Sequence, residues 1–428
     1  MGNEICLEER LPGSQLVLYT NSNSSFELRD GKMDRLQQST ENGLGLNLYV
    51  DGRFGSFSTN RLDKKELETL ITNGIESTRY LAVDESRMLA DPARYYKGGK
   101  PDLQLFDKKL YEVNPDDKVA IARAAAEEVL GKDERIISVD SSYSDGEGSS
   151  YRLISNGFEG ESKSTWFSVS ASVSIKGEGE ARPQDYWYDS ALFYDKLTKT
   201  GIGAKALERV LRKLGQKKAK SGKYTMVVDP MNVGNLLSPM LSALYGSALQ
   251  QKNSFLMDKL DTKVASDLFT LRDEPHAIGA NGSRYFDNEG VATEPRTVFD
   301  KGVLKTYFID TYNGKKMDIA PTISAPSRLI LTPGDKDLNG LVADIKQGIL
   351  VTGFNGGNSN SSTGDFSYGI EGFLIEDGKL TQPVNEMNVT GNMVTLWNSL
   401  VAVGNDPQPN RSWQIPSLVF EGVDFSGL

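Results

Sequence analysis

The stretch SRYFDNEGVATEPRTVFDKGVLKTYFIDTYNGKKM, Ser283 to Met317, is the part of the chain whose reading settles the rest. Asn281-Gly282 ahead of it reads as a tight turn. An apolar/polar alternation follows at Val291, Thr293, Thr297 and Phe299, and Lys301-Gly302 reads as a second turn. Val303 to Asp310 has the β-branched and aromatic content of a strand. The stretch is therefore expected to form a hairpin carrying an acidic patch at Asp287 and Glu289. Propensity alone makes those two acids a solvated turn.

Composition bounds what such a hairpin can belong to. The chain has 428 residues, 25% charged and 38% hydrophobic, which fits a folded protein of two or three domains. Its 42 glycines and few helical runs point to many turns and a strand-rich fold. A net charge of −10 argues against an extended phosphate-binding surface, so no direct nucleic-acid binding is expected. Cys6 is the only cysteine, which excludes an internal disulfide or a multi-cysteine metal site. MGNEICLEERLPGS carries charges where a signal peptide needs an apolar run, and no stretch reaches the length of a membrane span. A cytoplasmic location without membrane contact is the expectation.

Read in order, Val17–Thr20 and Ser25–Leu28 look like short strands around a polar turn, Asn21 to Ser24. Asp30-Gly31 turns the chain, Leu44–Val50 is a third strand, and Asp51-Gly52 closes a hairpin onto Arg53–Ser58. Asp63 stands three residues before Glu66, a capping-box pattern, and helical spacing runs to about Ala82. Asp84 to Gly99 reads as a linker. Asn114-Pro115 opens an alanine-rich helix ended by Gly131. Ile136–Tyr143 and Tyr151–Ser155 read as strands around a polar turn, Ser144 to Ser150. Trp166 to Ile175 alternates cleanly, and Ile202 to Leu214 is helical. The charged connector Gln216 to Gly222 divides the chain near Ser221. Residues 1–220 would hold a β-meander plus helix to about 90 and a second α/β segment from about 110; residues 221–428 would form a larger β-rich domain.

In the second half Tyr224 to Asp229 is a buried strand, and Val233 to Leu249 has helical length, with its start near Ser238 because Pro239 suits a first turn. Leu338 to Gln347 reads as a short helix, and Gly353 to Gly364 as a glycine-rich loop. The fold class expected is α+β, rich in antiparallel sheet with few helices.

"FDNEG…T…V…KGVLKTYFIDTYNGKKM" resembles the C-terminal segment of the TldD/PmbA proteins, a metallopeptidase family long labelled modulators of DNA gyrase. "LRDGKMD", "GLGLNLYVDGRFGSFSTN" and "LDKKELETLI" resemble its N-terminal region. "STGDFSYGIEGFLIEDGKLTQPVNEMNVTGN" and "VAVGNDPQPNRSWQIPSLVFEGVDFSG" extend the resemblance to the end of the chain.

The resemblance implies a zinc site that this chain lacks. Catalytic members carry His-Glu-x-x-x-His on the helix after the first strand of the second half: two imidazoles bind zinc and the glutamate activates water. Ser238, Pro239 and Ala243 stand at those three places here. No shift of register restores the pair, because His276 is the only histidine. The glycine-rich region that would correspond to the family's metal-site cysteine has none. Carboxylates such as Asp287 and Glu289 would in any case favour harder ions than zinc. His276 sits in the polar turn Asp273–His276 and reads as an exposed loop residue, and Cys6 has no activating neighbour. Gly201-Ile202-Gly203 lacks the rest of a dinucleotide fingerprint.

Three functions stay open on this reading. The first is a non-catalytic PmbA/TldE-like subunit, inactive alone, needing no cofactor, paired with a TldD-like metallopeptidase subunit that cuts unfolded peptides. The second is an active metallopeptidase with unrecognised ligands. The third is a peptide-binding or scaffolding homodimer. Asn355, Gly356, Gly357, Asn358 and Asp365 are the peptide-binding candidates, since glycine lets a backbone approach closely and asparagine can bind it. A homodimer is expected when the partner is absent, with Trp397 and Trp413 of the second half as aromatic anchors.

Overall fold

The computed structural model describes residues 13–428, so Cys6 lies outside the described residues. Strand outweighs helix, 40% to 19%, and the class is α+β. Six strands build the first sheet: β1 (Ser14–Arg29), β2 (Lys32–Val50), β3 (Arg53–Thr59), β4 (Ile136–Ile154), β5 (Phe158–Ile175) and β6 (Gln184–Ala191). Their order is β3-β2-β1-β4-β5-β6, all antiparallel.

Two polar runs expected to turn do not. Asn21–Ser24 lies inside β1, and Ser144–Ser150 lies inside β4. Their serines, threonines and asparagines pair across neighbouring strands instead. Thr20 Oγ1 donates to Asn42 Oδ1 at 2.7 Å, Ser22 and Thr40 hydroxyls lie 3.1 Å apart, and Ser144 Oγ donates to Ser25 Oγ at 3.0 Å. Cross-strand hydroxyl pairs stabilise extended chain, and buried Ser24 and Asp145 are bonded to Lys118 of a covering helix, so polarity here does not mark a turn.

Three helices cover the sheet. α1 (Lys64–Thr78) is capped by Asp63, whose carboxylate accepts the Glu66 N–H at 3.1 Å. It buries Leu67 and Ile71 against Leu46 and Leu48. α2 (Pro115–Glu127), capped by Asn114, and α3 (Ile202–Leu211) pack Ala122, Ala125, Ala126, Ala206 and Val210 on Tyr143, Phe167 and Val169.

The second half begins with β7 (Gly222–Val228), α4 (Gly234–Ser242) and α5 (Gly246–Gln250). The helix expected from Ser238 therefore starts four residues earlier and breaks at Tyr245, whose backbone is extended. Pro239 sits inside α4, where it removes the N–H that the Asn235 carbonyl would otherwise accept. Then come β8 (Leu271–Asp273), β9 (Arg296–Asp300), β10 (Val303–Leu304), α6 (Thr311–Met317) and β11 (Leu329–Leu331). The strand expected over Val303–Asp310 is only two residues long; Asp310 instead caps α6, accepting the Asn313 N–H at 2.6 Å. α7 (Leu338–Ala343), β12 (Gln347–Ser359), β13 (Asp365–Glu376), β14 (Lys379–Asn392), α8 (Met393–Asn398), β15 (Leu400–Val403), β16 (Trp413–Gln414) and β17 (Leu418–Ser426) complete the chain.

One sheet here runs β10-β9-β8-β11-β16 and the other β14-β13-β12-β7-β17-β15. Pairing of β14 with β17, through Asn388–Thr390, closes five strands of the latter into a ring. β7 is buried on both faces. Met226 and Val228 meet α4 through Leu236, Leu237, Met240 and Leu241, while Val227 meets Leu341 and Val342 of α7. Trp397 is fully buried between Phe269 and Phe420, which removes it as an anchor for a partner.

The two halves share a core. Ala90, Tyr95, Ile154 and Phe158 of the first belong to the main apolar cluster of the second. The segment expected to be a linker, Asp84–Gly99, is stitched in: Tyr95 bridges Val291, the Tyr96 N–H donates to Gly290 O at 3.1 Å, and the Ala292 N–H to Arg94 O at 2.9 Å. Gly290 has φ +78, and a Cβ there would lie 2.7 Å from Cγ of Phe158. Gly290→Ala should destabilise the protein by about 2–4 kcal/mol through combined backbone and packing strain. Urea unfolding measures this; a midpoint equal to that of the unaltered chain would show that Phe158 yields freely.

Candidate functional site

The acids of the opening stretch are not a solvated turn. Asp287 is 2% exposed. One of its oxygens accepts the N–H groups of Glu289 at 2.8 Å and Val291 at 3.0 Å; the other accepts that of Ser324 at 3.1 Å. Glu289 accepts the Thr311 N–H at 3.0 Å and its hydroxyl at 2.9 Å, at the start of α6. The reason is chain geometry: a loop that folds back on itself leaves N–H groups inside, and a short carboxylate can satisfy several of them. Burial, reinforced by the charges of Asp287 and Asp310 and opposed by the Thr311 bonds, pushes the Glu289 carboxyl up to about 7. Burial beside Glu289 likewise pushes the Tyr49 hydroxyl up to about 12.

Ser238, Pro239 and Ala243, the residues expected at the places of the motif, fall on α4 and just past its end. Ser238 is exposed, Pro239 half-buried and Ala243 buried. The Ala243 carbonyl accepts the Ser254 hydroxyl at 2.6 Å. The next residue, Phe255, donates its N–H to Ser361 O at 2.9 Å, and Asn253 Oδ1 accepts the hydroxyls of Ser361 and Ser362. The structure thus places the glycine-rich segment one connection away from the end of α4.

That segment is not a flexible loop. Gly353 to Ser359 belongs to β12 and pairs with Phe366–Glu371 of β13; only residues 360–364 turn. A bulge absorbs Asn355-Gly356, and Gly357 is required where a Cβ would meet Ser367 O at 2.0 Å. Glycine here allows strands to close on each other, a role the sequence pattern does not separate from looseness. Asn355, Gly356, Gly357 and Asn358 are exposed, and the two asparagine side chains make no hydrogen bond among the described residues. Asp365 is engaged: it accepts from Asn392 Nδ2 at 2.9 Å and Thr363 Oγ1 at 2.8 Å, bonds that lower its carboxyl below the ordinary value.

His276 is half-buried rather than an exposed loop residue, 3.0 Å from the Thr293 hydroxyl and against the Tyr285 ring, and burial lowers its imidazole. Among the described residues no group of three His, Cys, Asp or Glu side chains is arranged to hold a metal ion. No described helix is long and apolar enough to cross a membrane. The sequence also hid a convergence: Tyr96, Arg152 and Phe158, from segments far apart in the chain, meet Tyr285–Asn288. No local signal marks them.

Three family models account for most of the chain. They are described as PmbA/TldA metallopeptidase domain 1 (residues 15–78), central domain (108–214) and C-terminal domain (221–427). The chain belongs to the PmbA/TldD family. A crystal structure of a candidate DNA gyrase modulator from Bacteroides thetaiotaomicron is 71% identical, covers 100% of this chain and 97% of that one, and superposes with a TM-score of 0.98. The metalloprotease PmbA of Escherichia coli O157:H7 is 26% identical, and the PmbA homologue of Haemophilus influenzae 28%, each across 97% of this chain and 92% of the relative. TldE of Thermococcus kodakarensis, 20% identical, shares the fold over 99% of both chains with a TM-score of 0.85.

The raised Glu289 carboxyl has a consequence in solution. Above pH 4.5 an unfolded chain releases the proton that the folded chain keeps until about 7. Stability should therefore fall as pH rises through that window, by on the order of 3 kcal/mol in all, and level off above it. Glu289→Gln should remove most of that fall and be the more stable protein at pH 8. Urea midpoints at pH 5 and pH 8 test this; an unchanged difference between the two pH values in the variant contradicts it.

Proposed function

We propose that this chain is a non-catalytic, PmbA/TldE-like subunit of a cytoplasmic TldD/PmbA peptidase system acting on unfolded peptides. The observation that carries the reading is the α4 region, where Ser238, Pro239 and Ala243 occupy the places of two zinc ligands and a base. With one histidine in 428 residues, no second imidazole exists to rebuild the site. A subunit of this kind shapes the groove in which a TldD-like partner, carrying the zinc, cuts the peptide. The β12–β13 hairpin, with Asn355, Gly356, Gly357, Asn358 and Asp365 near its tip, is the surface assigned to the peptide, because its exposed backbone bulge and unengaged amides suit an extended chain.

Without the partner the second half is assigned the interface of a two-fold homodimer, which light scattering at micromolar concentration reads directly. A monomer there would withdraw that assignment.

The purified chain should hold far less than roughly one zinc per molecule and should not hydrolyse unfolded peptides. Mixed with a TldD-type subunit carrying the His-Glu-x-x-x-His motif, it should raise peptide cleavage well above that of the partner alone. Stoichiometric zinc in this chain, lost together with its own peptidase activity on chelation, would overturn the reading.

A further inference from the structure

Beside the Asp287 loop lies a cavity of about 430 Å³ between the first sheet and the segments Tyr96–Leu105 and Ser283–Asn288. Its volume is that of small-ligand pockets. One wall is aromatic: the Tyr96 and Tyr285 rings stack at 5.1 Å and 10°, and Phe286 continues the surface. Tyr285 is fixed by donating its hydroxyl to Pro101 O at 2.6 Å.

The facing wall carries a guanidinium, that of Arg152, with no ion pair among the described residues. Arg152 Nε is buried and has no hydrogen-bond partner among the described residues. Its Nη2 reaches only Asn288 Oδ1, at 3.5 Å. The carboxylate that acts on it electrostatically, Asp287, already has both oxygens on backbone N–H groups. Asp102 and Glu161 also line the cavity, but neither forms an ion pair with Arg152 among the described residues, and Asp102 accepts the Gln104 N–H at 2.9 Å. Lys163 is held by Glu147 at 3.0 Å, while Lys100 sits at the mouth, 5.4 Å from the centre of the Tyr285 ring. A half-buried charge without an ion-pair partner is costly, and a planar guanidinium is satisfied best by a carboxylate that meets its fork.

We propose that this cavity binds the free carboxyl terminus of a peptide, with the carboxylate on Arg152 and an aromatic or bulky apolar terminal side chain against the Tyr96–Tyr285 stack. The assignment rests on the peptide-handling reading above and adds which end of the peptide is held. Capture of a terminal carboxylate is an established mode of peptide recognition, and the aromatic wall supplies side-chain preference. Lys100 attracts the ligand from the rim, so binding should weaken with salt.

Calorimetric titration of the full chain tests this with three probes: the tripeptide Ala-Ala-Phe, its C-terminal amide, and N-acetyl-phenylalanine. The acid tripeptide should bind at least tenfold more tightly than its amide, and more tightly than N-acetyl-phenylalanine. Arg152→Gln should abolish the preference for acid over amide. Equal binding of acid and amide by the unaltered chain, or no binding of either, overturns the proposal without recourse to any variant. Equal binding of N-acetyl-phenylalanine and the tripeptide overturns the peptide assignment in favour of a free aromatic acid. An acid preference that survives Arg152→Gln overturns the role of Arg152. The titration needs no partner subunit, so it can succeed where the peptidase assay fails and fail where that assay succeeds.

Discussion

Two carboxyl side chains, the buried Asp287 and the half-buried Glu289, hold the ends of three separate pieces of backbone. Asp287 gathers the N–H groups of its own loop and of Ser324, and Glu289 caps the first residue of α6. With the loop so fixed, Gly290 and Val291 present their backbone to Tyr96 and Tyr95, and Phe286 meets Phe158 edge-on at 5.1 Å. Gln15 at the start of the first sheet adds a bond to Asn288 O at 2.6 Å. Part of the contact between the halves is therefore set by how these two side chains fix one loop. A carboxylate accepting several N–H groups satisfies donors that would otherwise be left without partners, at the cost of its own burial.

The local elements of this architecture were legible where a residue type has one mechanical use. The turn at Lys301-Gly302, the Asp63 cap, the Asn114-Pro115 helix start and the hairpin at Asp51-Gly52 all occur where expected. Legibility failed where one residue type serves two ends. Serine and asparagine runs at Asn21–Ser24 and Ser144–Ser150 read as turns but lie mid-strand, because their side chains pair across the sheet. Glycines after Gly353 read as looseness but permit close strand approach. Pro239 read as a helix start but lies inside α4.

The candidate site was legible in its absences more than in its contents. That no pair of imidazoles can form follows from counting histidines, and needs no coordinates. That the end of α4 and the tip of the β12–β13 hairpin are joined through Asn253–Phe255 could not be read, because the link runs through two backbone carbonyls and three serine hydroxyls. The aromatic and arginine-lined cavity was equally hidden, since Tyr96, Arg152 and Tyr285 are brought together only by the packing of the halves. Both features lie in a chain whose family models are described as metallopeptidase domains, and neither is marked by a local sequence pattern.

The measurement that tests this account most directly is native mass spectrometry of the complex isolated from its own cells, with the metal located by subunit. The account predicts one copy of this chain bound to one copy of a relative bearing His-Glu-x-x-x-His, with zinc on that relative alone. A metal-loaded assembly made only of this chain, and active on peptides, would contradict it.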